Sequence, residues 1–241
     1  MKRLTDEELK EILNLHVKWL RGEPGGVQAH LIDVDLSYND LSGKDLRDAY
    51  LSNAILEKSS LLGINLSRAI LKGVNLQAAN LAYAKFNSAM LFKVNLKYAN
   101  ISYANFCGAL LDDVSLEKIE YNKGTSFIAL QCPEEGSFIG YKKAANADGE
   151  SVIVKLQIAE NAKRSSATSR KCRCSKAKVL SITSLDGKIE YDLASSGYDP
   201  NFVYKVGEIV EVTNFNEDRW SECGTGIHFF ITRDEAVQYF L

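Results

Sequence analysis

No stretch of eighteen apolar residues occurs in this 241-residue sequence, so no segment has the character of a membrane-spanning helix. A charge excess is also missing: 29 basic residues stand against 31 acidic ones, a formal net charge of −2. No global field therefore recruits nucleic acid, an acidic membrane or a cationic partner, and any charge argument has to be local. Met1 to Glu8 run straight into acidic sequence without the apolar core of a secretion signal. The five cysteines are odd in number, and Cys172 and Cys174 lie only two apart, unlike the framework of a secreted disulfide domain. These absences predict a cytoplasmic protein with reduced thiols. Its length and 46% hydrophobic content suit one large domain or two small ones with a true core.

The chain divides into three segments. Thr5 and Glu8 have the form of a capping box, and Leu9, Ile12, Leu13, Val17 and Leu20 recur at helical spacing until Gly22 and Pro24. Residues 1–30 are thus expected to hold one amphipathic helix that caps the open end of the second segment. His16 and Trp19 lie on or beside its apolar stripe and read as packing residues.

From Leu31 a large apolar residue returns every five positions through Leu116, eighteen in all, including Phe86, Ile101 and Phe106. Two residues before each, the side chain is usually small or β-branched, as at Ala49, Ala54, Val74 and Ala99, with Asn39, Lys44, Ser59 and Ile64 as departures. A period of five fits neither a helix nor a strand, so the chain must turn a corner in each repeat and bring the same two positions inward. Asp or Asn often precedes the large residue (Asp35, Asp40, Asp45, Asn65, Asn75, Asn80, Asn95, Asn100, Asn105), types that hydrogen-bond nearby backbone in turns.

The stretch resembles the pentapeptide-repeat family, whose A-(D/N)-L-x-x motif stands here as Ala79-Asn80-Leu81-Ala82-Tyr83 and Ala104-Asn105-Phe106-Cys107-Gly108. The resemblance implies a right-handed quadrilateral β-helix, a β-solenoid with four repeats per coil, over residues 31–118. At ~4.8 Å per coil that makes a rod of roughly 22 Å. Some members of that family resemble DNA in shape and charge and bind topoisomerases. Residues 31–118 carry nine acidic and nine basic residues, a poor imitation of a duplex with one charge every ~1.7 Å. Outward Tyr83, Tyr98 and Tyr103 could form a stripe that either meets a protein partner or a second copy (a homodimer) or merely stiffens one face by aromatic stacking.

Residues 119–136 carry Gly124, Pro133 and Gly136 without a period and read as a connector. Residues 137–241 are expected to form a small, mostly antiparallel α+β domain. Its strands are Phe138 to Tyr141, Ser151 to Ile158, Ala177 to Ile182 and Tyr204 to Val212, followed by a terminal helix capped by Thr232.

Two parts of that domain have candidate chemistry. Between Lys163 and Lys178 lie seven basic residues and no acidic one. Lys163, Arg164, Arg170, Lys171 and Arg173, threaded through Ser165, Ser166, Thr168 and Ser169, suit a phosphate-bearing ligand. The bland alternative is a solvated basic loop balanced by the domain's own acids. The second is Glu222 to Phe230, where Gly224 and Gly226 shape a turn and His228 either packs or lines the same pocket as the basic segment. Cys223 and His228 could pair as nucleophile and base, but no third orienting group can be named. Cys172, Cys174, Cys223 and His228 could bind zinc, yet the first pair is spaced C-x-C rather than C-x2-C, so no metal or cofactor is predicted. The segment 163–173, Lys176-Ala177, the run Cys223 to Phe230, and His16 with Trp19 resemble phage and bacterial proteins in which a small domain of unknown function follows pentapeptide repeats.

The expected protein is therefore a non-enzymatic scaffold displaying a C-terminal binding domain, a phage-related accessory in a host cytoplasm on that resemblance. The alternative is a C-terminal domain that binds or modifies a nucleotide or nucleic-acid phosphate.

Overall fold

A computed structural model describes residues 1–240. The chain forms two compact units, dividing between Ala129 and Leu130.

In the first unit the five-residue pattern becomes a repeated turn. The large apolar residues from Leu31 through Leu111 are buried, and Leu116 is half-buried. The carbonyl of each such residue typically accepts the N–H three residues on, as in Ala54 to Leu51 at 2.9 Å and Ala89 to Phe86 at 2.9 Å. The second residue after it has φ between 54° and 69° in every repeat from Asp33 to Lys118, the signature of a type II turn. All nine Asp and Asn residues that precede a large apolar position accept the N–H two residues later, at 2.9–3.2 Å.

Successive coils pair in parallel with a twenty-residue step, for example His30 with Tyr50 and Asn80 with Asn100. Four pentapeptides therefore make one coil of a repeat β-helix. The same step joins β3 (Met90–Phe92) to β4 (Leu110–Asp112), while β1 (Lys2–Arg3) adds a strand beside β2 (Val34–Asp35). Equivalent side chains stack: Phe86 on Phe106 at 4.8 Å, and Tyr83 on Tyr103 at 4.7 Å with ring planes 4° apart. Arg68 grips Asp48, twenty residues back, with two bonds of 2.6 and 2.8 Å. Of the four departures, Lys44 is exposed and Asn39 only half-buried, whereas Ser59 and Ile64 are buried. Ser59 fits because its hydroxyl donates to the Leu56 carbonyl at 2.6 Å.

Helix α1 (Asp6–Leu20) begins with the expected Thr5–Glu8 capping box. Its His16 is buried, and Nδ1 accepts the Ala29 N–H at 3.0 Å. Burial holds the ring below its ordinary pKa, so it acts as a neutral acceptor and packing residue. Among the described residues no helix is long and apolar enough to cross a membrane.

The expected connector is not a free linker. Glu120 still pairs with Asn100 and Ser126 with Asn105, so coil pairing outlasts the sequence period through a one-residue slip to a twenty-one-residue step. Beyond Ala129, Cys132 is buried in the core of the second unit.

That unit is built on an antiparallel sheet. β5 (Phe138–Ala145), β6 (Ser151–Ile158) and β9 (Lys176–Ser184) form its centre, after β7 (Arg164–Ser166) and β8 (Cys172–Cys174) leave it. β10 (Glu190–Tyr191), β11 (Leu193–Ser195), β12 (Val203–Lys205) and β13 (Ile209–Glu211) extend it. The predicted strand Tyr204 to Val212 is split into β12 and β13 by a turn at Gly207, whose φ is 87°. A second sheet has the order β14 (Ile227–Phe229), β8, β7. Val152, Val154, Leu156, Cys172, Cys174 and Phe229 are among the residues of the main core. Helix α2 (Arg233–Gln238), with Thr232 as its cap, packs Ala236 with Ile153 and Phe230.

Candidate functional site

The basic segment does not form a phosphate cluster, and the reason lies in where its guanidinium groups go. Arg164 donates to five backbone carbonyls, those of Pro133, Gly136, Ala159, Glu160 and Ala162, at 2.8–3.3 Å. Arg173 is 1% exposed and donates to the carbonyls of Asn216, Asp218 and Thr225 at 2.6–3.2 Å, with Phe215 against its face. Both arginines are pegs that hold loops, since one guanidinium supplies donors to several loop carbonyls at once. Ser165, Ser166 and Thr168 are buried, and the Ser166 hydroxyl accepts the Gln131 N–H at 2.8 Å. Lys163 pairs with Glu217, Ser169 with Glu222, and Arg170 with Glu235 at 2.7 Å. Of the ten residues named from sequence, only Lys171 and His228 meet in a cavity.

The four candidate zinc ligands do not converge either. Cys172 and Cys174 alternate with Arg173 along β8 and enter the core, while Cys223 is exposed. Burial pushes the Cys174 thiol up to about 12, and a hydrogen bond with the Cys132 thiol, then burial, raises Cys172. Among the described residues no three His, Cys, Asp or Glu side chains form a metal-sized group. The polar partner of Cys223 is the Lys171 ammonium at 3.8 Å, and no hydrogen bond joins it to His228 among the described residues.

The cavity has a volume of about 360 Å³, the small end of the ~300–1,000 Å³ usual for ligand pockets. Tyr198, Phe202, Tyr204, Phe230 and Tyr239 give it aromatic walls, the Gly224–Gly226 turn borders it, and Lys142, Lys171 and His228 face it. The sequence positions these groups through strand alternation. On β5, Gly140, Lys142 and Ala144 share the buried face, so Lys142 enters the interior between two small residues. On β14, His228 lies opposite Arg173 of β8, turned away from the core side chains Ile227 and Phe229.

Burial dominates the electrostatics. Lys142 is only 7% exposed, and its ammonium lies 5.9 Å from the Tyr204 ring. Desolvation, then repulsion from Lys171, brings its pKa from 10.5 down to about 8. His228 is pushed from 6.5 to about 4, first by burial and then by Lys171 and Lys142. Its Nε2–H donates to the Glu222 carbonyl at 3.2 Å, so at neutral pH the ring is uncharged and Nδ1 carries the lone pair.

Three overlapping stretches, residues 29–68, 59–97 and 89–119, match the family described as pentapeptide repeats (8 copies). A solved pentapeptide repeat protein from Nostoc Pcc 7120 is 33% identical, over 35% of this chain and 70% of that one, with a TM-score of 0.35. The chain is a pentapeptide-repeat protein. Another pentapeptide repeat protein, from the Arabidopsis thaliana thylakoid lumen, is 30% identical over 42% of this chain and 69% of that one, with a TM-score of 0.20. Residues 128–236 match a family of unknown function, DUF5758. No curated protein matches the chain. The pentapeptide-repeat protein thus joins a repeat β-helix to a C-terminal domain of a family without an assigned role.

Of the residues singled out from sequence as phosphate ligands, Lys171 and His228 line this cavity, whereas its other lining residues Lys142, Tyr198, Tyr204 and Tyr239 were not among them. The only signal for Lys142 was its place in β5, where Gly140, Lys142 and Ala144 alternate with Tyr141 and Lys143. With adjacent lysines, that pattern does not say which one points inward.

Proposed function

We propose that this pentapeptide-repeat protein is a non-enzymatic scaffold whose C-terminal unit binds a small ligand in the aromatic cavity around Lys142. The observation that carries this is a nearly buried ammonium that faces a cavity and has no carboxylate partner among the described residues. The coil is taken as right-handed and quadrilateral, with α1 as its cap. The twenty-residue step supports the four sides and the burial of Leu9 and His16 on α1 supports the cap, while the hand follows from the family resemblance. The stacked, exposed Tyr83 and Tyr103 offer a surface to a protein partner or a second copy. Five free thiols suit the reducing cytoplasm. The phosphate alternative loses its footing because Arg164 and Arg173 are committed to backbone carbonyls.

Native mass spectrometry of gently purified protein tests this reading, since one spectrum gives both subunit number and bound small molecules. A small-molecule adduct that disappears when Ser196→Phe fills the cavity is expected. No adduct, together with no thermal stabilisation by any member of a small-molecule panel, contradicts the ligand role.

A further inference from the structure

We infer that the cavity accepts a small organic anion with a flat apolar body, in its simplest form an aromatic carboxylate, whose charge is held by the ammonium groups of Lys142 and Lys171. The inference rests on the cavity being a ligand site and adds the class of ligand.

An ammonium buried without a counter-charge loses its hydration and gains nothing in return. Lys142 is 7% exposed, and the charged group acting on it at neutral pH is the Lys171 ammonium, of like sign; the Cys174 thiol stays protonated, pushed up to about 12, and no carboxylate acts on Lys142 among the described residues. Its ammonium makes no hydrogen bond among the described residues, and only the face of the Tyr204 ring, 5.9 Å from Nζ to its centroid, stands near it as a cation–π partner. Neighbouring groups do not offer relief. Lys143 is occupied by the carbonyls of Val237 and Tyr239 at 3.1 and 2.9 Å. Asp199 is the only carboxylate among the described lining residues, and it takes the Asn201 N–H at 3.0 Å. His228 is uncharged at neutral pH, its Nε2–H already given to Glu222. A ligand carboxylate would turn the unpaired Lys142 charge into a charge-assisted hydrogen bond shielded from water.

The rest of the cavity selects the body of the ligand. Its five aromatic walls favour a flat apolar group, and about 360 Å³ confines it to a small one. A phosphate ester fits less well. Its two charges want a guanidinium fork or several N–H donors, and the Arg173 fork is not in the cavity lining, its Nη1 and Nη2 donating to the carbonyls of Asn216, Asp218 and Thr225.

The test is calorimetric titration of the full chain with benzoate, 2-naphthoate and indole-3-acetate, each beside its neutral alcohol, and with phenyl phosphate. The expected result is that at least one carboxylate binds tenfold or more tighter than its alcohol. Lys142→Met should reduce that carboxylate to the level of the alcohol while the unliganded variant melts no lower than the parent. Lys171→Gln, nearer the surface, should weaken the carboxylate several-fold and guards against a folding defect in the first variant. Equal binding of carboxylate and alcohol, or unchanged carboxylate affinity in Lys142→Met, overturns the inference, as does phenyl phosphate binding tenfold tighter than benzoate. Alcohols that bind where carboxylates do not would keep the cavity as a ligand site and remove only the anion. Failure of every compound, with no adduct in native spectra, would remove both.

Discussion

Replacing Ala78 by glycine should stabilise this protein, although glycine in regular structure ordinarily destabilises. Ala78 has φ 54° and Gly63, in the equivalent turn position three repeats earlier, has φ 65°. An L-residue held in the left-handed region costs about 1–2 kcal/mol. Glycine removes that cost but makes the unfolded chain more flexible, which returns about 0.4–1 kcal/mol. The net expectation for Ala78→Gly is a gain of about 0.5–1 kcal/mol. Gly63→Ala is the mirror experiment, because a Cβ there meets nothing within 4 Å and only the backbone is strained. It should lose a similar amount. Urea unfolding, with midpoints compared at constant slope, reads both variants. If Ala78→Gly lowers the midpoint while Gly63→Ala leaves it unchanged, the account of these turns as strained left-handed corners is wrong.

Arg173→Met should cost about 2–4 kcal/mol, because it leaves three carbonyls without their donor, each worth up to about 1–3 kcal/mol where water cannot replace it. Arg170→Ala, whose pair with Glu235 is half exposed, should cost no more than about 1 kcal/mol; denaturation of the two variants side by side checks the contrast. The C-terminal unit should weaken as pH falls from 6.5 to about 4, because the folded state keeps His228 neutral to about 4 while the unfolded chain takes up its proton near 6.5. That contribution is whole above 6.5 and amounts to at most ~3 kcal/mol, and pH-dependent melts of His228→Gln should be flatter over the same window. Tyr103→Ala removes one ring of the exposed stack. It should cost about 1 kcal/mol, and a change in subunit number by light scattering would show that the stack is also an interface.

The repeat was legible because each repeat states the same instruction. An apolar residue every fifth position, a small one two before it and an Asx between them each found the role its chemistry suggests, including all nine Asx turns. The end of the coil was not legible, since pairing through Ser126 depends on backbone bonds that survive a one-residue slip. In the second unit, Ser151–Ile158 and the Thr232-capped helix carried clear local signals and lie where expected. The basic segment misled because charge density is visible in a sequence while its consumption by carbonyls is not. Arg164 closes on Pro133 and Gly136, some thirty residues away, and Arg173 on Asn216 and Asp218, more than forty away. Lys142 escaped for the converse reason, being an ordinary lysine made unusual only by what surrounds it.

The titration of Lys142, followed by NMR of the side-chain methylene next to Nζ in lysine-labelled protein, tests the central claim most directly. The account predicts a pKa near 8 in the free protein, against 10.5 for an ordinary lysine, and a rise when a bound carboxylate supplies the missing charge. A Lys142 signal that titrates with the other lysines and does not respond to any aromatic carboxylate would contradict it.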